Sequence, residues 1–255
     1  MTNNEIITFI LSGDYAMFKK PWCNNQQQSY FIPPKTSMMG LIGGILGIPK
    51  NQYLKKLNFD EISIGITILE RPTKDLNGYN YMHGKNLRDI LKKLSNPYRN
   101  PTNKGSLSPT RVEYLKGVAY RIFLHFKDNK LEEQFFNLIS NQKCYYPPFL
   151  GQVNLFANLE KPEILKFNNS EEKEYVGTVA PTELVDMDYI SQSIYHVEKM
   201  PYKFSEERTH PRYISIAFFD EPEKRIKIVA NRECDNNYII GEVELNQENI
   251  GVILY

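Results

Sequence analysis

The stretch that decides the fold runs from Phe18 to Gly47 and reads FKKPWCNNQQQSYFIPPKTSMMGLIGGILG. It begins as a loop of lysines and aromatic residues and, after Pro33 and Pro34, takes the composition of a glycine-rich helix. Thr36 or Ser37 is predicted to cap that helix. The free N–H groups of the first turn would then point back towards the loop, where they favour an anion.

Four glycines share one face of the predicted helix, because their spacing of i, i+3, i+4 and i+7 follows the helical repeat: Gly40, Gly43, Gly44 and Gly47. A face without side chains lets another backbone approach closely. The approaching group can be a sheet or a second helix, which is a packing role. It can also be the phosphate chain of a ligand, which is a binding role for Gly40. The sequence supports both interpretations.

Positive charge is concentrated in two segments of a chain whose net charge is only +1. Residues 15–57 hold six lysines and no Asp or Glu, and residues 79–111 carry a local charge of +6. Together they hold twelve surplus positive charges, so the remainder of the chain is acidic. Such segregation predicts one electropositive surface on a near-neutral protein.

Lysines beside aromatic rings are typical of proteins that bind single-stranded nucleic acid. In the first basic segment, Lys19, Lys20 and Lys35 would neutralise phosphates. Trp22 and Tyr30 would stack on unpaired bases. The alternative is that the rings belong to the core and the lysines form a solvated rim.

Composition bounds the class of protein. Hydrophobic residues make up 41% and aromatic residues 13% of the 255 residues, which is typical of a folded globular chain. The cysteines, Cys23, Cys144 and Cys234, are odd in number and far apart, which predicts a reducing compartment without disulfides, zinc or another cofactor. No signal-peptide pattern is present, and the apolar run 38–48 is too short to span a bilayer. We therefore expect a cytoplasmic protein.

Hydrophobic periodicity predicts an α+β fold with the order strand, helix, strand, insertion, strand, helix, strand over residues 1–160. The expected strands are 6–11, ended by a turn at Gly13-Asp14, then 62–68, 120–126 and 152–159, and the second helix covers 131–139. This βαββαβ order is the ferredoxin-like plan shared with RNA-recognition motifs. Residues 161–255 hold short strand patterns, which predict a small, mostly antiparallel β C-terminal domain. Because that part is acidic, it is expected to contact proteins rather than RNA.

The order Phe18-Lys19-Lys20-Pro21, a polar gap, Ser29-Tyr30, Pro33-Pro34 and then the glycine-rich helix resembles the N-terminal signature of the CRISPR-associated Cas five family of the RAMP superfamily. Members of this family cap the 5′ handle of the guide RNA (crRNA) in type I interference complexes, called Cascade, in antiviral defence. The spacing and length are most similar to the type I-B branch. The resemblance implies crRNA, backbone (Cas seven-type) and large (Cas eight-type) subunits as partners, with target DNA contacted indirectly and no membrane role.

The resemblance also implies that the insertion, at about residues 74–118, is a protruding thumb hairpin along the guide. Lys104 and Arg111 are its expected RNA contacts, and a short helix is predicted over residues 87–94. An ordinary basic insertion is the alternative. The proline-rich turn from Tyr146 to Gly151 is expected beside the RNA path, where the Gly151 N–H would touch a phosphate, unless the turn only ends the preceding helix.

The sequence holds no specific enzyme motif. Metal-independent RNA cleavage needs only a general acid and base, so His83, beside Tyr81 and Lys85, is the candidate for an alternative function as an endoribonuclease acting on precursor crRNA. The type I-C branch of the family cleaves with a Tyr, Lys and His group, but here Lys116 is followed by Gly117 where a Lys-His pair would be sought. We therefore expect a structural subunit that binds RNA and is not an enzyme.

Overall fold

The computed structural model describes residues 5–23, 26–50, 52–82, 87–88, 91, 107–170, 173–190, 194–205, 209–229 and 238–255. They form a mixed α+β protein built mostly of strands, which confirms the expected class. Among these residues, no helix is both long enough and apolar enough to cross a membrane.

The described helices are α1 (Lys35–Ile45), α2 (Tyr53–Lys56), α3 (Asn129–Ser140) and α4 (Met187–Ile190). The strands of the first half are β1 (Glu5–Ala16), β2 (Phe18–Lys19), β3 (Gln26–Gln27), β4 (Ser29–Tyr30), β5 (Ile62–Glu70), β6 (Thr73–Met82) and β7 (Leu107–Phe126). Those of the second half are β8 (Asn158–Asn169), β9 (Tyr175–Val176), β10 (Ala180–Pro181), β11 (His196–Lys203), β12 (Arg212–Phe218), β13 (Ile226–Lys227), β14 (Ile239–Leu245) and β15 (Glu248–Leu254).

The centre of the molecule is an eight-stranded sheet whose main path runs β15-β14-β8-β1-β7. Strand β1 pairs antiparallel with β7 on one side and with β8 on the other. On the far edge of β7, β5 pairs with its second half and β6 with its first half. The alternating isoleucines 62, 64, 66 and 68 all lie in β5, as their period of two predicts.

Helices α1 and α3 pack on one face of this sheet. Phe9 of β1 and Phe135 of α3 have ring centroids 6.0 Å apart, and Met39 and Ile42 of α1 are fully buried in the same core. Burying one such side chain contributes about 2 kcal/mol relative to leaving it in water. The apolar residues of β1 and the helix faces therefore fix α1 against the sheet.

The C-terminal residue of the chain is hydrogen-bonded to strand β5 of the first half. The backbone of Tyr255 exchanges two hydrogen bonds with Ile64 of β5, each 3.1 Å long. Close approach is possible because Gly65 has no side chain, since a Cβ there would lie 2.8 Å from the Ile253 carbonyl oxygen. Strands β14 and β15 thus extend the sheet beyond β8, and the residue after β15 is bonded back to β5.

The remaining strands form a small sheet of order β10-β12-β11 and a two-stranded pair of β9 and β13. The expected boundary between residues 160 and 161 falls inside β8, which spans Asn158–Asn169. The division into two domains stays a prediction.

Strand β6 and the first half of β7 form an arm. Their register runs from Thr73 opposite Lys116 to Met82 opposite Leu107. Residues 109–115, which form the return of this arm, lie within β7. Most of the helix predicted over residues 87–94 lies outside the described residues.

Three local predictions are wrong. Strand β1 does not turn at Gly13-Asp14, because pairing with the long strand β7 continues to Ala16. Helix α1 has Pro34 as its N-cap without a side-chain cap, and the Ser37 and Met38 N–H groups donate to the Pro34 carbonyl.

The third wrong prediction is the strand expected over residues 152–159, since β8 begins only at Asn158. Its alternating pattern belongs instead to a compact turn. Within that turn the Leu150 N–H donates to the Leu155 carbonyl over 2.8 Å, and Phe149 bridges to Phe156.

Candidate nucleic-acid interface

A cleft of about 600 Å³ separates the glycine face of α1 from the segment Tyr146–Val153. Its walls are mainly apolar and include Leu11, Phe18, Met38, Leu41, Ile48 and Tyr53. Polar side chains on its lining are Ser37, Lys50 and Gln152. Four of the residues predicted to bind RNA therefore meet in one place: Ser37, Gly40, Tyr146 and Gly151.

Two glycines of α1 have no packing reason to be glycine. A Cβ built on Gly40 or Gly44 meets no atom of another described element within 4 Å. Glycine within a helix costs about 1 kcal/mol relative to alanine. Since nothing in the described structure fills the space beside them, these glycines keep the cleft wall bare.

Other glycines of the site are required by packing. A Cβ on Gly151, whose φ is +92°, would lie 2.0 Å from the Met17 carbonyl oxygen. A Cβ on Gly47, with φ +73°, would lie 2.5 Å from the Tyr145 ring. The packing interpretation therefore accounts for Gly151 and Gly47. It also accounts for Gly43, where a Cβ would lie 3.2 Å from that of Tyr53.

The second wall of the cleft is attached to the end of α1. The Tyr145 and Tyr146 N–H groups donate to the Ile45 and Gly44 carbonyls, both over 3.2 Å. These bonds satisfy carbonyls that the helix end leaves without partners. They also leave the Tyr146 side chain exposed at the mouth of the cleft.

The chemistry of the cleft suits a flat, partly apolar group better than a phosphate. Its apolar walls can cover the faces of an unpaired base, as aromatic and aliphatic side chains do in proteins that bind single strands. The Ser37 hydroxyl and the Gln152 amide can then hydrogen-bond to a base edge. A phosphate fits the rim, where basic side chains meet solvent.

The loop of residues 18–34 that precedes α1 is called the basic loop. Its two adjacent lysines differ in their surroundings. Lys19 is exposed, and none of the described carboxylates pairs with it. The Lys20 ammonium lies 2.7 Å from the Glu198 carboxylate, and both side chains are largely buried. Lys19 can therefore meet a phosphate, whereas the charge of Lys20 is already neutralised within the protein.

The aromatic residues of the loop differ in the same way. Tyr30 is 1% exposed, and burial raises the pKa of its phenol. Trp22 is 55% exposed and meets Tyr30 edge-on, with ring centroids 5.9 Å apart. This placement corrects the predicted stacking role of Tyr30, because a buried ring has no free face for a base. Trp22 keeps such a face.

Lys35 is part of the core and not of a binding surface. It is 2% exposed, and its ammonium donates to the Tyr255 carbonyl over 2.9 Å and lies 4.7 Å from the Tyr202 ring centroid. Burial lowers the pKa of Lys35 from 10.5 to about 7. The predicted phosphate contact of Lys35 is therefore corrected, since its ammonium faces the protein interior.

The structure places the remaining predicted residues less closely. Thr36 is half-buried in the first turn of α1. Arg111 is exposed on β7, and its partner in parallel register is Gln26 of β3, so the arm and the basic loop are neighbours. Lys104 and His83 lie outside the described residues, as do most cations of the insertion. The single electropositive surface stays a prediction.

The sequence analysis missed three residues that surround the basic loop: Glu198, Lys199 and Tyr213. Glu198 accepts hydrogen bonds from both Lys20 and the Phe31 N–H. The centroid of the Tyr213 ring lies 6.2 Å from that of Trp22. No local pattern marks these residues, because they meet the loop only when β11 and β12 fold onto it.

The chain is similar to known proteins both in sequence and in fold. A family model described as CRISPR-associated protein (Cas_Cas5) matches residues 6–215. A chain of the solved structure "CRISPR RNA-guided surveillance complex" aligns with a TM-score of 0.51 at 11% identity, over 88% of this chain and 89% of that chain. A CRISPR protein from Archaeoglobus fulgidus aligns with a TM-score of 0.52 at 12% identity, over 98% of each chain. At these identities the likeness concerns the fold, and no curated protein matches the chain.

Proposed function

The chain belongs to the CRISPR-associated protein (Cas_Cas5) family, and we propose that it binds the 5′ handle of a guide RNA as a subunit of a CRISPR RNA-guided complex. The observation that carries the proposal is the cleft between the bare glycines of α1 and the turn Tyr146–Val153. The basic loop adjoins this cleft, because its residue Phe18 lines the cleft directly.

In this proposal the parts of the site have separate tasks. An unpaired base of the handle enters the cleft, where Gly40 and Gly44 leave room for it and Ser37 reads its edge. Lys19, the exposed neighbour of the cleft residue Phe18, neutralises a phosphate. Tyr146, which is 55% exposed, offers a ring face at the mouth. Stacking of one base on one aromatic ring contributes about 1–3 kcal/mol.

The strand order supports the finer description of the fold. We propose a ferredoxin-like core, because strands β8, β1, β7 and β5 lie side by side in that order, with α1 after β1 and α3 after β7. The arm of β6 and β7 is then the thumb, which would contact the guide and a neighbouring backbone subunit. A type I-B system, a large subunit as the second protein partner and a cytoplasmic location complete the proposal.

We further propose that the subunit binds RNA without cleaving it. Among the described histidines, His125 lies in β7, His196 is stacked on Phe31 and Phe218, and His210 is exposed. None of these three lines the cleft. His83 keeps its place as the candidate of the alternative, metal-independent endoribonuclease.

Binding is tested with the full chain and a labelled RNA that carries the repeat-derived handle. Gly44→Leu fills the cleft from a position with open space, so we expect folding to persist and affinity to fall by about tenfold. Gln134→Leu, on the exposed face of α3, adds the same side chain elsewhere and should leave affinity unchanged. Equal affinity of all three proteins, or no preference for the handle over a scrambled RNA, contradicts the proposal.

Cleavage is tested by incubating the protein with a labelled precursor repeat RNA in EDTA. We expect the RNA to remain intact. Site-specific cleavage that disappears in His83→Ala would replace the binding role by the endoribonuclease.

A further inference from the structure

One face of the small sheet β10-β12-β11 is buried, and the other face is buried at Ala217 but exposed towards the opposite end of β12. Met200, Ile214 and Ile216 point into the core. On the opposite face, Lys199 and Tyr213 are exposed. An exposed sheet face with an aromatic side chain and a cation resembles in chemistry the surfaces on which proteins stack unpaired bases.

Trp22, from the basic loop, completes this face. Its ring centroid lies 6.2 Å from that of Tyr213, with 49° between the ring planes. The rings are 55% and 37% exposed, respectively. Two large rings side by side in solvent expose apolar area to water, which is unfavourable unless another molecule covers them.

Packing and hydrogen bonds hold the pair of rings in place. The buried ring of Tyr30 meets Trp22 edge-on, with 89° between the planes. Glu198 of β11 accepts from the Lys20 ammonium over 2.7 Å and from the Phe31 N–H over 2.8 Å. These bonds tie the loop to the sheet, so the platform exists before any ligand arrives, which lowers the entropic cost of binding.

The charge around the rings is positive. The Lys199 ammonium lies 5.8 Å from the centroid of the Tyr213 ring, and no described carboxylate forms an ion pair with it. Glu198, the acidic neighbour on β11, is already paired with Lys20. The surface therefore combines two stacking faces with an ammonium that a phosphate can approach.

We propose that Trp22, Tyr213 and Lys199 form a second binding surface for an unpaired nucleic-acid strand, with one base on each ring and a phosphate at Lys199. The inference rests on the proposed function, because the strand would be the part of the guide that leaves the cleft. Phe18 lines the cleft and Trp22 lies four residues further along the same loop. This part of the acidic C-terminal half thus contacts RNA, in contrast to the expectation from its net charge.

The fluorescence of Trp22 tests the proposal directly, because it is the only tryptophan of the chain. A handle RNA extended by about ten unpaired uridines, a length that spans an ordinary single-strand site, is added to the full protein. We expect its binding to quench the emission of Trp22. A duplex of the same RNA should not quench it, because its bases are already paired. Quenching by the duplex as strong as by the single strand contradicts the proposal.

Variants of the platform separate it from a structural role. Tyr213→Ala should weaken binding of the extended RNA by about tenfold, whereas Tyr213→Phe should retain it. Lys199→Gln should lower the slope of log affinity against log salt by about 0.7. The matched control is Tyr175→Ala, since Tyr175 is 39% exposed and meets Tyr189 edge-on, away from Trp22.

The outcomes distinguish this inference from the proposed function. If the handle binds but Trp22 emission and the Tyr213 variants show no effect, the platform is wrong and the cleft stands. If no RNA binds at all, both are wrong. If an oligoglutamate peptide quenches Trp22 and RNA does not, the surface binds an acidic protein segment instead, which also overturns the inference.

Discussion

The glycines in and beside the cleft are glycine for different reasons. At Gly47 and Gly151 a Cβ would collide with Tyr145 or with the Met17 carbonyl, so the fold itself requires glycine. At Gly40 and Gly44 a Cβ meets no atom within 4 Å from the described residues outside α1. The same residue type therefore marks close packing at Gly47 and Gly151 and an open wall at Gly40 and Gly44.

The lysines and aromatic residues of the stretch Phe18–Gly47 divide in the same way. Lys35 and Tyr30 belong to the core, whereas Lys19 and Trp22 face solvent. The comparison teaches that residues alike in sequence serve either the fold or the surface, and rarely both. Changes in the first group should lower stability, and changes in the second group should lower binding.

Gly151→Ala should have the largest effect. A methyl group 2.0 Å from the Met17 carbonyl oxygen, on a residue with φ +92°, forces the backbone to move. We expect a loss of about 3 kcal/mol or more in the free energy of unfolding, measured with urea. Gly40→Ala is the control and should lose nothing. Equal stability of the two variants would remove the distinction between packed and open glycines.

Lys35→Met should change how stability depends on pH. Burial lowers the pKa of Lys35 from 10.5 to about 7, so between these values the unfolded chain binds more protons than the folded one. The free energy of unfolding of the natural protein therefore rises with pH over this window. The full cost of burying the charged Lys35 ammonium is present below about pH 7.

The methionine variant lacks this rise. The free energy of unfolding of the variant minus that of the natural protein should therefore fall by about 2–3 kcal/mol between about pH 7 and pH 9, as measured by urea unfolding. A difference in stability that stays constant with pH would place the Lys35 ammonium in water and return it to the binding surface.

Local patterns were enough to predict much of the fold. The period of two at Ile62–Ile68 indicates β5, and Asp128 is a residue type that favours the N-cap it forms for α3, accepting from the Lys130 N–H over 2.9 Å. These signals need only the neighbouring residues in the chain. They locate α1, the first wall of the cleft, for the same reason.

Tertiary contacts explain what the sequence could not show. Lys35 can be buried because Tyr255, 220 positions away, supplies a carbonyl that accepts its hydrogen bond. Lys20 is neutralised because β11 brings Glu198 to it. A pattern of lysines and aromatic residues identifies a basic loop, but only the packing of the C-terminal strands determines which of its members remain available to a ligand.

Lys20→Met and Lys19→Met should separate two lysines that are adjacent in sequence. Removing Lys20 leaves the largely buried Glu198 without its cation, so we expect a loss of about 1–2 kcal/mol in the free energy of unfolding. Lys19→Met should leave stability unchanged and lower the salt dependence of RNA binding by about one phosphate contact. The measurements are urea unfolding and fluorescence anisotropy at several salt concentrations.

A double-mutant cycle of Lys20→Met with Glu198→Gln assigns the loss to the pair. We expect a coupling of about 1 kcal/mol. No coupling, together with equal salt slopes for the two single variants, would show that both lysines belong to the same surface.

Gly44→Ala should change stability only slightly, and in the opposite direction. Alanine is the better helix former, and its methyl group would meet none of the described atoms outside α1 within 4 Å, so α1 should gain up to about 1 kcal/mol. The same methyl group narrows the cleft, and affinity for the handle RNA should fall by about threefold, the equivalent of roughly 0.7 kcal/mol. A gain in stability with unchanged affinity would mean that the bare wall serves no ligand, whereas a loss of stability would mean that Gly44 is required by the fold.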